Sequence, residues 1–150
     1  MSATQLRAWV EQVRPEWIDY NGHLNDAQYV GVFSRAIDDV MVQVGMDGDY
    51  LAATGTSLFT LETHVRYLDQ VLADARLLVS CRVIGVAAKV VWLWFEMESD
   101  GRLRATMEAL MMHVDTVAGR SAPIPDQLSA RFEALKVDPP DDAGRRIQVG

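Results

Sequence analysis

Asn25-Asp26-Ala27-Gln28-Tyr29-Val30-Gly31-Val32-Phe33, continuing to Met41-Val42-Gln43-Val44-Gly45, is the longest stretch of the chain that reads as a helix. Tyr29, Phe33, Ile37, Val40, Met41 and Val44 recur at helical spacing, and Val30 and Val32 widen the apolar surface. The spacing predicts a helix over 26–44 that is covered on more than one side, with Arg35, Asp38, Asp39 and Gln43 on its polar face. Asn25 suits the N-cap, Asp26 places a negative charge in the first turn, Gln28 sits at the capping-box position, and Gly45 is a C-terminal stop.

Working back from this helix, Asp19-Tyr20-Asn21-Gly22-His23-Leu24-Asn25 packs a carboxylate, an amide, a turn dipeptide and a histidine against the helix start. Asn21-Gly22 marks the turn, because glycine tolerates positive φ. Before the loop, residues 6–13 alternate loosely, with Leu6, Ala8 and Val10 against Arg7 and Glu11, and predict a first strand that ends at Arg14-Pro15.

Working forward, residues 49–53 suggest one more helical turn, and after Gly55 the periodicity changes to two. Phe59, Leu61, Val65 and Tyr67 fall on one face of a strand over 57–69, with Thr60, Glu62, His64 and Arg66 on the other. Further strands are expected at 76–86, 89–99 and 102–115; the last is apolar on both faces and so central, and Asp100-Gly101 is a hairpin turn. A short amphipathic helix is expected at 126–135, then a polar tail from Asp138. The order strand, long helix, four antiparallel strands is α+β: a five-stranded antiparallel sheet wrapped around one long central helix. The expected division is a single domain over 1–137 and a C-terminal tail over 138–150. The sheet face turned away from the helix would carry Trp92 and Trp94, enough apolar area to predict self-association as a dimer or tetramer.

Composition sets outer limits. At 150 residues the chain fits one domain and buries a sizeable core without staples. A formal charge of −7 argues against a general nucleic-acid binder, while leaving room for an anionic ligand at local arginines or a helix N-terminus. Cys81 is the only cysteine, so neither an internal disulfide nor a cysteine-based zinc site is expected within one chain, which fits a reducing cytoplasm. No signal peptide and no membrane-spanning run is read, so no membrane partner is expected. His23, His64 and His113 lack ligand spacing, so no metal is expected, and there is no dinucleotide fingerprint.

Three segments carry a family resemblance: Trp17-Ile18-Asp19-Tyr20-Asn21-Gly22-His23-Leu24-Asn25 with Tyr29 and Phe33, Phe59 to Leu68, and Ala105-Thr106-Met107-Glu108 through His113-Val114-Asp115. Together they resemble a hotdog-fold acyl-CoA thioesterase over nearly the whole chain. The Asp-x-Asn-x-His-x-Asn pattern is similar to the catalytic loop of plant acyl-carrier-protein thioesterases. Asp19, Gly22 and Tyr29 match the spacing of 4-hydroxybenzoyl-CoA-type thioesterases, and the second and third segments look most like thioesterases of carnitine breakdown that act on betainyl-CoA.

The resemblance implies hydrolysis of a small acyl-CoA thioester, with betainyl-CoA as a candidate and no cofactor beyond the CoA of the substrate. It implies Asp19 as general base or nucleophile, Asn21 orienting it, and backbone amides near Gly22 and His23 as the oxyanion hole. Asn25 is assigned first to capping and second to substrate contact, beside Tyr29. Glu62, possible from a partner chain, borders the substrate, and Trp17, Trp92 and Trp94 are candidates for a trimethylammonium group through cation–π attraction. His113 reads as a satisfied core histidine and His64 as a solvated strand residue. Rival readings are a hotdog enoyl-CoA hydratase or dehydratase, for which Asn21-Gly22-His23 is one residue short, and a non-catalytic acyl-CoA-binding module.

Overall fold

The computed structural model describes residues 5–149. Strand β1 (Trp9–Gln12) is followed by a 3-10 turn at Pro15–Trp17, helix α1 (Asp26–Val44), helix α2 (Gly48–Thr54) and strand β2 (Thr56–Tyr67). Strands β3 (Arg76–Val86), β4 (Val90–Ser99), β5 (Arg102–Asp115) and β6 (Arg120–Ser121) and helix α3 (Asp126–Leu135) complete the order. All pairings between these strands are antiparallel, the sheet runs β1-β3-β4-β5-β2, and two-residue β6 adds to β5. One curled sheet thus wraps one long helix, the hotdog arrangement, with six strands rather than five and two short helices besides. β6 is too short to leave a period-two pattern in the sequence.

Helix α1 begins and ends where its caps dictate. Asn25 has extended backbone and its side chain accepts the Ala27 N–H, while Gly45 closes the helix at φ +92. Arg131 of α3 donates to the Val44 carbonyl at 2.6 Å, satisfying one of the last orphan acceptors. Val32, Phe33, Ala36, Ile37 and Val40 of α1 pack on the inner sheet face, built from Leu77, Val79, Leu93, Phe95, Met97, Met107 and Met111. The Phe33 and Phe95 rings meet edge to face at 6.2 Å. Each such side chain stabilises the fold by roughly 1.5–3 kcal/mol through burial.

Three expectations change at the sheet edges. In β1 the faces are reversed: Val10 is exposed, and Glu11 turns inward to hold Arg35 (Nε–Oε1 2.8 Å) and the Trp9 indole (2.8 Å). In β2 the register shifts between Thr60 and Glu62, leaving Leu61 as an extra residue. Leu58 is therefore buried, while Phe59 sits opposite Met112 on the outer face and is 49% exposed. Val65 and Tyr67 remain on the helix side, opposite Met107 and Ala105. Third, Trp94 is not an exposed outer-face residue. It is 3% exposed, and its indole N–H donates to Glu96 Oε2 at 2.8 Å. Trp92 is half-buried; its ring presses on Gly85, where a Cβ would come within 2.8 Å.

The residues after α3 stay on the sheet. Lys136 bridges Val83 in parallel, the Val137 N–H donates to the Val83 carbonyl at 2.9 Å, and Gly144 N–H donates to Glu108 Oε2 at 2.7 Å.

Candidate active site

The loop before α1 folds as a small hairpin. Ile18 and Leu24 bridge, the Asp19 N–H donates to the His23 carbonyl (3.0 Å), and the Gly22 N–H donates back to the Asp19 carbonyl (2.9 Å). Gly22 takes φ +81 at the tip, a conformation that only glycine adopts at little cost. The hairpin is tied to its surroundings at both sides: the Leu24 N–H donates to the Val71 carbonyl and the Asn25 N–H to the Trp17 carbonyl.

This geometry fixes the Asp19 carboxylate. One oxygen accepts the Asn21 backbone N–H at 2.8 Å and the other accepts the Asn25 side-chain amide at 3.3 Å. Asn25 therefore has two tasks, since its Oδ1 caps α1 at the Ala27 N–H (3.0 Å) while its Nδ2 holds Asp19. Asn21 reaches Asp19 through its backbone N–H. The Gly22 N–H is engaged inside the hairpin, so among the described residues the His23 N–H is the amide of that pair without a protein acceptor.

Asp19 opens on a cleft of about 660 Å³ between this hairpin, the first turn of α1 and the end of β2. Asn21, His23, Asn25 and Tyr29 line it as expected; Tyr20, Asp26, Tyr67, Asp69 and Gln70 also line it and were not singled out. Tyr29 is buried; its hydroxyl lies 3.2 Å from the Val71 N–H and 3.3 Å from the Asp69 carbonyl, so it braces the cleft wall. Tyr67 meets Tyr29 edge to face at 5.1 Å and donates to the Asp26 carbonyl at 3.3 Å. Burial pushes both phenols above the ordinary tyrosine range, so they stay neutral donors at physiological pH. Asp69 is held by Arg104 (2.9 Å) and Arg102 (3.0 Å). Besides Asp19, the lining carries the carboxylates of Asp26 and Asp69 and no lysine or arginine.

The remaining candidates stand elsewhere. Trp17 packs against the core with the Arg35 and Arg14 guanidinium carbons 5.2 and 5.3 Å from its ring centroid, so its face already holds cations. Glu62 and Trp92 line a second cavity of about 230 Å³ on the outer sheet face, with His64, Glu108, Leu110 and residues 144–146. Trp94 lines neither cavity. His113 is a satisfied buried histidine, its Nε2 3.0 Å from the Tyr50 hydroxyl and its Nδ1 3.1 Å from the Ala122 carbonyl. Burial raises the Cys81 thiol far above its usual range, which leaves it a poor nucleophile.

Tyr67 lies on the apolar face where the period-two pattern puts it; what the pattern does not show is that the end of β2 borders the hairpin, more than forty residues away in sequence. Asp69 carries no signal of its own in the sequence; its place follows from the Arg104 contact across the β2–β5 pair.

Comparisons with known proteins give the chain its family. The chain is 39% identical over 132 residues to the betainyl-CoA thioesterase of Pseudomonas aeruginosa, covering 87% of this chain and 83% of that protein. It is 38% identical over 149 residues to the L-carnitine dehydrogenase/betainyl-CoA thioesterase of Agrobacterium fabrum, covering 96% of this chain. The chain spans only 31% of that longer relative. A Staphylococcus aureus protein solved in complex with CoA superposes with a TM-score of 0.87 at 24% identity, covering 95% of this chain and 94% of that one. The family model for the thioesterase-like superfamily matches residues 13–132, and the chain belongs to that superfamily.

Proposed function

We propose that the chain hydrolyses a small acyl-CoA thioester to the free acid and CoA. The observation that carries this is the Asp19 carboxylate, fixed by two amide donors and presented to an open cleft at the N-terminus of the longest helix. In this reading the thioester carbonyl enters the cleft with its oxygen toward the His23 N–H and the positive end of α1. Asp19 either takes a proton from the attacking water or attacks the carbonyl carbon itself. In the first case hydroxide adds and CoA thiolate leaves. In the second a mixed anhydride forms as CoA thiolate leaves, and water then hydrolyses it. His23, half-buried in the same wall, supplies the proton for the thiolate. Asn25, more than the Asn21 side chain, orients the carboxylate.

The acyl group is assigned as cationic, with betainyl-CoA as the leading substrate. The names of two relatives support this. So does the cleft itself, where Asp26, Tyr20 and Tyr67 stand in the lining with Asp19 and no lysine or arginine does. Tyrosines thus take the part first given to Trp17, Trp92 and Trp94. We also infer assembly through the free edge of β2, a twelve-residue strand whose alternate residues turn their backbone groups outward and where Phe59, Leu61 and Tyr67 are about half exposed. Such pairing would bring a second copy's β2, with Glu62, toward the cleft at the end of that strand. Among the described residues no helix is long and apolar enough to cross a membrane, and the single cysteine fits a cytoplasmic setting.

The deciding experiment is steady-state hydrolysis of betainyl-CoA beside its neutral isostere, 3,3-dimethylbutyryl-CoA, by the parent and by Asp19→Asn. Thiol release by the parent that vanishes in the variant supports the reading. Binding of either ester without thiol release, or consumption of crotonyl-CoA in its place, would sink it. Equal turnover of the two esters would remove the cationic acyl group. Single-turnover hydrolysis in ¹⁸O-water reveals the anhydride route with water attacking at the Asp19 carbonyl carbon, because that step places the label in Asp19 and leaves the first product unlabelled.

A further inference from the structure

The outer face of the sheet has an occupant of its own. Trp92 and Trp94 stand on the same side of β4, away from α1, with Leu110 of β5 opposite Trp92. Two indoles at the centre of an open sheet are the composition of an association hot spot. Yet Trp94 is only 3% exposed. The segment after α3 accounts for this. It leaves β3 at Val137, whose N–H donates to the Val83 carbonyl (2.9 Å), and reaches β5 at Gly144, whose N–H donates to Glu108 Oε2 (2.7 Å). Between those points Asp142 lies 3.4 Å from Arg66 of β2. A path from β3 to β5 must cross β4, and Trp94 is the β4 residue that pairs with Glu108, where the path arrives, and with Arg82, the neighbour of Val83, where it starts. Further on, residues 144–146 roof the cavity over Glu62, His64 and Trp92.

The strap's grip is light for the area it covers. Its two anchors beyond β3 are one partly exposed ion pair and one backbone hydrogen bond, and exposed pairs of this kind contribute little stability. The face beneath carries both signs of charge around the indoles: Arg66 and Arg82 against Glu62, Glu96 and Glu108. A surface of that pattern is complementary to a copy of itself across a two-fold axis.

We propose that residues 137–146 form a strap that occupies the outer sheet face in place of a second copy of this chain, and so prevents face-to-face stacking. The strap leaves the β2 edge free, and the proposal stands whether or not the cleft hydrolyses thioesters. Lifting the strap exposes Trp92 and Trp94, and two copies then stack through them.

The test uses the full chain. Asp142→Arg combined with Glu108→Gln turns the Arg66 anchor repulsive and removes the charged acceptor for the Gly144 N–H. The mass from light scattering should double relative to the parent at the same concentration. Adding Trp92→Glu to that background should return the mass to the parental value. Asp142→Arg combined with Gly144→Pro cuts both anchors from the strap's own side, leaves every charge of the sheet face in place, and should also double the mass. A parental mass in both the Asp142→Arg/Glu108→Gln and the Asp142→Arg/Gly144→Pro chains overturns the proposal, as does a doubling that Trp92→Glu leaves in place.

Discussion

Two cavities of this molecule have similar ingredients and different organisation. The cleft at α1 holds Asp19, Asp26 and Asp69 with His23 and tyrosines; the outer pocket holds Glu62 and Glu108 with His64 and Trp92. In the cleft, the Asp19 carboxylate is gripped by donors from its own hairpin and helix cap and faces open space. In the outer pocket, Glu108 is met by the Gly144 N–H and the cavity is roofed by the chain's own arginines. The difference lies in what orients the charge. Asp19 is oriented by neighbours in its own loop and left open to the cleft, as the proposed chemistry requires, whereas Glu108 is paired with a crossing segment of the fold.

This contrast can be broken by activity measurements. Asp19→Asn should lower kcat on betainyl-CoA by about 10²–10⁴, the usual contribution of a positioned base or nucleophile, and Glu62→Gln measured beside it tests whether the outer pocket takes part. A Glu62→Gln loss as large as that of Asp19→Asn would move the chemistry to an assembled site and erase the distinction drawn above. Asn25→Ala comes next. It removes a cap and an orienting amide together, so thermal denaturation should show a loss of about 1 kcal/mol and kcat should fall on the order of tenfold. A stability loss with kcat intact would reduce Asn25 to its capping task. Tyr67→Leu should raise KM for betainyl-CoA about 2- to 5-fold and leave the neutral isostere unchanged, in keeping with a cation–π contact at a half-exposed ring. The smallest effect is expected for Asn21→Ala, about twofold in kcat, because the backbone N–H that binds Asp19 survives the substitution.

Much of the fold was legible where local chemistry fixes it. Asn25 and Gly45 bracket α1 at the expected residues, and β3, β5 and α3 start and stop where the patterns change. What escaped depends on contacts made across the chain. Glu11 turns inward because Arg35 waits there, 24 residues away in sequence. Trp94 is buried on a face that a polar segment, expected as a tail, crosses on its way to Glu108. The cluster around Asp19 could be seen in the sequence because its members are neighbours there. Its second wall, Tyr67 to Gln70, lies more than forty residues on and could not be seen from the loop alone.

The extra residue in β2 has a meaning for how related chains differ in length. Thr60 lies opposite Met111 and Thr63 opposite Ala109, both on the helix side, and without Leu61 the residues from Leu58 to Tyr67 would alternate without interruption. Deleting Leu61, or Glu62 with Leu61 taking its place opposite Leu110, leaves every neighbour facing as it did. Loss of a residue from Thr63 to Arg66 keeps Tyr67 inward by absorbing the bulge, and turns Glu62 from the outer face to the helix side. A one-residue gap at Leu61 or Glu62 should be tolerated between relatives, and a gap a few residues later should accompany a change on the outer sheet face.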